Sequence, residues 1–545
     1  MFAAANIHYE VADRTSGVAC GGIGVIHKLV RQTGLIEALD ENIHLLKVHL
    51  PYHESDHILN MAYNILCGGK CLEDIELLRN DEVYLNALDA QRIPDPTTAG
   101  DFCRRFTVED IHILMDAINE IRIKVWRQQP DSFFDEAIID VDGVMAPTTG
   151  ECKKGMDISY KGEWGYHPLV VSLSQTNEVL FLINRSGNRP SHEDAAQWID
   201  KAVDLCRRAG FRKITVRGDT DFSQTTELDR WDAGGMEFIF GIDAMANLVD
   251  MANSLPDEVW KPLKRRAKYE VKTFPRRRPT NVKEEIVVRR RFKNIRLDSE
   301  LVAEFDYQPC ACSKAYRMVV VCKNLTVSRG EDVLFDEVRY FFYITNNRRL
   351  RTSEIVFSAN GRCNQENLNA QLKGGVFALR MPVDTLESNW AYMVIASLAW
   401  TLKSWVALLL PETGRWKAKY KSEKRKVLRM EFRTFSMRSY VCHARSCVSL
   451  TRSSIGCCRG IRGRKCCSEL WTHCPSRYDV NGIVLDAGIR MSRFASAGWD
   501  GRAKMTRRQL EANKSSRPRL WDAFRAEKIA PAQAFCTFTV RLFKV

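Results

Sequence analysis

At 545 residues the chain exceeds what one hydrophobic core usually holds, so roughly two to four domains are expected. With 45% hydrophobic and 10% aromatic residues it can bury cores, which excludes a disordered polymer. Lys and Arg total 81 against 67 Asp and Glu, a formal net charge of +14; a polyanionic partner is expected, nucleic acid before membrane.

The first residues, MFAAANIHYEVADR, lack a basic region followed by an apolar run. No signal peptide is expected there, and the protein is expected in the cytoplasm, with its 18 cysteines reduced.

From about Gly21 to Ile123 the apolar spacing is helical, in segments such as VIHKLVRQTGLIEAL and HILNMAYNILCGG. Residues 1–128 therefore read as an all-α N-terminal domain. Residues 129–242 change texture to short β-rich runs, EAIIDVDGV, HPLVVSLS, EVLFLIN, KITVRGD and EFIFGID, with one helix, AAQWIDKAVDLCRRAG, before KITVRGD. That alternation predicts an α/β core.

Residues 243–345 open with a basic tract, KPLKRRAKYEVKTFPRRRPTNVKEEIVVRRRFKNIR, and continue as β-like runs, so they read as a basic β-rich insertion. The clustered Arg276, Arg277, Arg278, Arg289, Arg290 and Arg291, with Tyr269 and Phe274 between the basic runs, fit contact with a phosphate backbone as well as they fit a solvated face. Residues 346–435 return to helical spacing. Their apolar stretch Trp390 to Leu410 is long enough to cross a bilayer, but it carries Lys403 and several hydroxyl residues and is expected as a buried helix, with no membrane involved.

Residues 436–545 lose this patterning and crowd cysteines: Cys442, Cys447, Cys457, Cys458, Cys466, Cys467 and Cys474. Adjacent cysteines without paired C-x-x-C spacing fit a tetrahedral zinc site poorly. Codon choices exist under which the segment, read one nucleotide out of frame, regains a helical apolar pattern. The tail is therefore read as irregular and frameshifted from near Ser436.

Three segments carry chemistry. In AIIDVDGV, strand alternation puts Asp140 and Asp142 on one face and Ile139 and Val141 on the other. Two carboxylates at a strand end call for a cation, and hard Mg²⁺ suits oxygen ligands. The plain alternative is an Asp-Gly turn. KITVRGDTDF supplies a second strand ending in a carboxylate, Asp219. RCNQENLNAQLKGG places Arg362, Glu366 and Lys373 on one helical stripe at about 3.6 residues per turn, where a surface ion pair is the plain reading.

The D-x-D-G-V run resembles the haloacid-dehalogenase-like phosphatases, a likeness that implies Asp140 as nucleophile and that the GDTD at Gly218 to Asp221 faintly echoes. Taken together, however, the three segments resemble the DDE transposases of bacterial insertion sequences, in the IS-four superfamily and its thirteen-eighty group, from roughly residue 10 to 435. Arg362, Glu366 and Lys373 keep the superfamily's Arg, Glu and Lys spacing, with Ala359 where Tyr is usual; Arg217, Asp219, Thr220 and Phe222 match the second-aspartate motif, and Val144 stands where Thr is usual. YKGEWGYHPLVVSLS and NRSGNRPSHEDA resemble the group's second and third core strands and their connections.

The resemblance implies an RNase H-like core in which Asp142, Asp219 and Glu366 hold two Mg²⁺ ions, with Mn²⁺ as a substitute and Asp140 as alternate ligand. One ion would activate water or a 3′-hydroxyl and the other would stabilise the leaving oxygen. Arg362 and Lys373 would grip the DNA near the cut. The helical domain and the basic insertion would bind terminal inverted repeats, and a homodimer would pair two ends before joining them to target DNA. A DNA-binding remnant without catalysis is the further reading if the tail is frameshifted.

Overall fold

The computed structural model describes residues 15–18, 20–49, 51–265, 280–330, 332–439, 444–449 and 452–457. Among these, nine strands form one mixed sheet flanked by helices. In chain order they are β1 (Ala137–Gly143), β2 (Leu169–Leu173), β3 (Glu178–Ile183), β4 (Ile214–Gly218), β5 (Glu237–Ile242), β6 (Lys261–Pro262), β7 (Lys293–Tyr307), β8 (Tyr316–Arg329) and β9 (Asp332–Thr345). Their spatial order is β6-β7-β8-β9-β5-β4-β1-β2-β3.

β1, β2 and β3 pair antiparallel, whereas β1 with β4 and β4 with β5 pair parallel. The parallel pairs bury both faces, and β4 is buried along its whole length, as a sheet covered on two sides demands. Parallel pairing has a functional consequence. It brings the carboxyl-terminal ends of β1 and β4 to the same edge.

Among its described residues, the segment expected as an insertion contributes its strands to the central sheet. β9 pairs antiparallel with β5, Phe342 opposite Ile242, so β6 to β9 continue the central sheet outward. Arg289 ends the short helix Val282–Arg289 at the start of this extension and Arg290 and Arg291 follow it; all three are exposed, and Arg291 pairs with Asp332 at 2.6 Å. Arg276, Arg277 and Arg278 lie outside the described residues.

The N-terminal helices include α1 (Ile23–Thr33), α2 (Glu54–Leu66) and α3 (Val108–Trp126). They share one continuous apolar core with the sheet, because α7 (Leu386–Leu408) packs against α2, α3 and β3; α4 (Ala195–Ala209), α5 (Thr352–Gly361) and α6 (Cys363–Gly374) precede it, and α8 (Lys417–Arg429) follows. By length and composition α7 could cross a membrane, yet here protein buries it from Ser388 to Leu408.

Its tryptophans explain how so apolar a helix finds one orientation. Trp390, Trp400 and Trp405 donate their indole N–H groups to Leu182 O (2.5 Å), Asn177 O (2.6 Å) and Glu178 Oε1 (2.9 Å). Glu178, fully buried, also accepts from Trp126 Nε1 (2.8 Å) and pairs with Arg122 (3.2 Å). These bonds tie α3 to the start of β3 and α7 to both of its ends.

Helix Phe432–Ser439 runs through the point where patterning is lost in the sequence, and Ser436 Oγ donates to Leu66 O at 2.8 Å. Strands Ala444–Ser449 and Arg452–Cys457 form a hairpin that pairs with Thr15–Val18. Cys442, Cys458, Cys466, Cys467 and Cys474 lie outside the described residues.

Candidate active site

β1 delivers two aspartates to different surroundings. Asp140 is buried, and both its oxygens accept from Arg217 of β4, Oδ1 from Nε at 2.7 Å and Oδ2 from Nη2 at 2.8 Å. The guanidinium also donates to Ser174 Oγ (2.9 Å) and, through Nη1, to Ser358 O in the last turns of α5 (2.7 Å). A Cβ at Gly361 would stand 2.6 Å from Arg217 Nη1, so only glycine lets the end of α5 come this close.

This geometry bears on the alternate-ligand role expected of Asp140. A carboxylate with both oxygens engaged by a buried Arg fork is poorly placed to be a metal ligand or a phosphatase nucleophile. Its position serves to fix Arg217 and, through it, the junction of α5 and α6.

Asp142, two residues on, opens toward the sheet edge. Asp219, just past β4, caps the short turn Thr220–Phe222 by accepting from Asp221 N at 3.1 Å. Arg362, the residue joining α5 to α6, faces both: Nη1 lies 3.5 Å from Asp142 Oδ1 and Nη2 lies 3.7 Å from Asp219 Oδ2. Nη1 is buried yet makes no hydrogen bond. The two carboxylates thus share one loosely engaged cation.

α6 is held against β2 by Gln365, buried, which accepts from Ser172 Oγ. The helix therefore presents Asn369 to the site, where Nδ2 donates to Asp142 Oδ2 at 2.9 Å. Glu366 and Lys373 lie on the stripe of Arg362 and Asn369 but are exposed. Among the described residues, no three carboxylate, imidazole or thiol side chains come close enough together to hold a metal ion. The structure brings Asp142 and Asp219 together at Arg362 and leaves Glu366 at the rim.

Electrostatics fits an oxygen-ligated cation at this point. Burial pushes the Asp142 carboxyl up to about 7; Arg362 opposes the rise, Asp219 and Glu366 add to it, and the Asn369 hydrogen bond lowers it. Burial likewise raises Asp219, against the pull of Arg362. One guanidinium does not neutralise both Asp142 and Asp219, and carboxylate oxygens suit a hard divalent ion.

Other neighbours were not singled out in the sequence. Asn369 could have been, because it falls on the stripe of Arg362, Glu366 and Lys373. His167 could not: it reaches the site from the start of β2, with its Nε2 beside Gly143, where a Cβ would approach it to 3.0 Å. Burial lowers its imidazole pKa, favouring the neutral ring. Val144 is buried, and Ala359 packs against the cluster of Ile239, Val319 and Ile355.

The sequence of residues 14–446 matches the family model described as transposase DDE domain group 1. Among solved structures, the chain is similar to a cryo-EM structure of the piggyBac transposase synaptic complex with hairpin DNA. That match has 10% identity and a TM-score of 0.34, and covers 77% of this chain and 80% of that chain. No curated protein matches. With the family model spanning most of its length, the chain belongs to the DDE transposases, enzymes of DNA transposition that cleave DNA.

Proposed function

We propose that the protein is an insertion-sequence transposase of the IS-four superfamily, thirteen-eighty group, that cleaves DNA and transfers strands at terminal inverted repeats with Mg²⁺. The observation that carries this reading is the convergence of Asp142 and Asp219, from the ends of two parallel strands, on Arg362 at the start of the helix bearing Glu366. The strand order β3-β2-β1-β4-β5, antiparallel at first and then parallel, supports an RNase H-like core.

In this reading Asp142, Asp219 and an inward-turned Glu366 hold the divalent ions, and Asn369 orients the Asp142 carboxylate. The ions, when bound, supply the charge that activates the attacking hydroxyl and stabilises the leaving oxygen. Arg362 gives up its carboxylates and grips the DNA phosphate beside the cut, and Lys373, four residues after Asn369, extends that grip along the duplex. A homodimer would pair the two element ends.

The experiment incubates purified protein with Mg²⁺ and DNA carrying the inverted repeats that flank the gene. Nicking at the repeat end, lost in Asp142→Asn, supports the proposal; absence of cleavage with retained binding would leave a DNA-binding remnant. The cysteine-crowded tail motivates that second reading, and sequencing the gene across Ser436 tests the frameshift directly.

A further inference from the structure

α8 carries seven basic residues and one acidic one. Several are already committed: Lys424 Nζ bonds Glu412 Oε1 at 2.6 Å, and Lys426 pairs with Glu423 at 2.9 Å. Lys421, Arg425 and Arg429 are different. They are exposed, lie at i, i+4 and i+8 on one stripe, and have no carboxylate at ion-pair distance among the described residues. The stripe extends ~12 Å along the helix axis.

Two open depressions meet along it. One of about 610 Å³ lies between α8 and Thr434, with Lys421 and Ser422 in its wall. The other, about 630 Å³, lies between α8 and the outer edge of α6 and is lined by Asn364, Asn367 and Gln371. Arg425 and Arg429 border both. The trough therefore combines guanidinium groups that are unpaired among the described residues with neutral amides and a single carboxylate, Glu431, a predominantly basic set that suits phosphodiester oxygens.

Its place relative to the carboxylates selects the partner. α6 buries Gln365, Leu368, Asn369 and Leu372 and leaves the opposite arc in solvent. Glu366 and Lys373 lie at one border of that arc, and Asn364 and Asn367 at the other. A helix with its side chains is ~10–12 Å across, so a duplex seated with one phosphate at Asp142 and Asp219 can cross α6 and meet the α8 stripe. An acidic protein surface would use the same cations but would have no reason to be continuous with the carboxylate edge.

We infer that α8 and the outer edge of α6 form a further DNA-contact surface, which holds the phosphate backbone of the duplex away from the cleavage point without reading its sequence. The inference rests on the transposase reading. It adds Lys421, Arg425 and Arg429 as positioning residues that do not touch the reacting phosphate.

Its test is fluorescence anisotropy of the full chain with a labelled duplex that lacks the element ends, over a series of salt concentrations. The variant Lys421→Gln/Arg425→Gln/Arg429→Gln should bind about tenfold or more weakly at low salt, and the slope of log affinity against log salt should fall by roughly 2 to 3, since each lost phosphate contact removes about 0.9. The circular dichroism melt should match that of the parent, because the three side chains are exposed. Parent-like affinity and slope in the variant overturn the inference alone. So does a change confined to self-association in sedimentation, which would make the trough a protein interface. A parent protein that binds no duplex overturns both this inference and the transposase reading.

Discussion

Asp140 and Arg217 form a buried, two-pronged ion pair that joins β1 to β4 at their paired register. The same guanidinium reaches Ser358 and packs on Gly361, so this pair sets where α5 ends and where Arg362 and α6 begin. Asp140→Asn would leave the Arg217 charge buried without its partner. Breaking such a pair typically costs about 3–5 kcal/mol. The expected result is a lower denaturation midpoint and loss of cleavage together, with parent-like melting contradicting the assigned role. Asp140→Asn and Asp142→Asn therefore differ in stability before they differ in activity.

Asp142, Asp219 and Glu366 are expected to behave in the opposite way. Asp142 and Asp219 meet at Arg362 with Glu366 at the rim, and both neighbours add to the burial that raises Asp142, so removing the Asp142 charge relieves repulsion in the metal-free protein. Asp142→Asn should melt at or above the parent temperature in EDTA at pH 8, while Mg²⁺ should raise the parent's midpoint more than the variant's. Glu366→Gln should retain duplex binding and lose cleavage. A Mg²⁺ shift of equal size in parent and Asp142→Asn would exclude this carboxylate as a ligand.

Asn369 orients a carboxylate without being a metal ligand in the proposed site. Its amide fixes Asp142 Oδ2, leaving Oδ1 toward Arg362. Groups that hydrogen-bond a metal's ligands usually change metal affinity by roughly 10–100-fold. Asn369→Ala should raise the Mg²⁺ concentration needed for half-maximal cleavage by about tenfold, with little change in the rate at saturating metal. A fall in saturated rate at unchanged Mg²⁺ dependence would show that Asn369 acts on the DNA instead.

Much of the site was legible because strands and helices have fixed periods. Alternation along AIIDVDGV placed Ile139 and Val141 in the core, and the helical period put Arg362 and Glu366 on the stripe that meets Asp142 at Asn369. What alternation cannot tell is depth. Asp140 and Asp142 share a parity, but only the parallel register with β4, set by a chain segment more than seventy residues away, puts Arg217 against the first and leaves the second at the edge. The extension of the sheet through β9 was hidden for the same reason: its pairing with β5 joins Phe342 to Ile242 across a long basic tract whose composition advertises a separate unit. His167 gave no signal, because its nearness to Gly143 exists only once β2 folds back on β1.

Lys403 gives a prediction that is independent of DNA. It lies within the most apolar helix, buried, with Nζ 3.6 Å from the centroid of the Trp400 ring and donating to Leu428 O at 3.2 Å. Burial pushes its ammonium down to about 7 from an ordinary 10.5. Between those values the unfolded chain binds the extra proton, so this residue makes stability rise with pH from about 7 toward 10.5, and its full penalty is present below 7. Lys403→Met keeps most of the volume and removes the titration, although Leu428 O loses its donor, at about 1 kcal/mol. The variant should gain stability relative to the parent at pH 6, and the advantage should shrink or reverse by pH 10. Melting midpoints of both proteins across that range provide the check. A difference that does not vary with pH would mean that Lys403 is charged alike in folded and unfolded chains, held by the Trp400 face and the Leu428 carbonyl strongly enough to offset its burial.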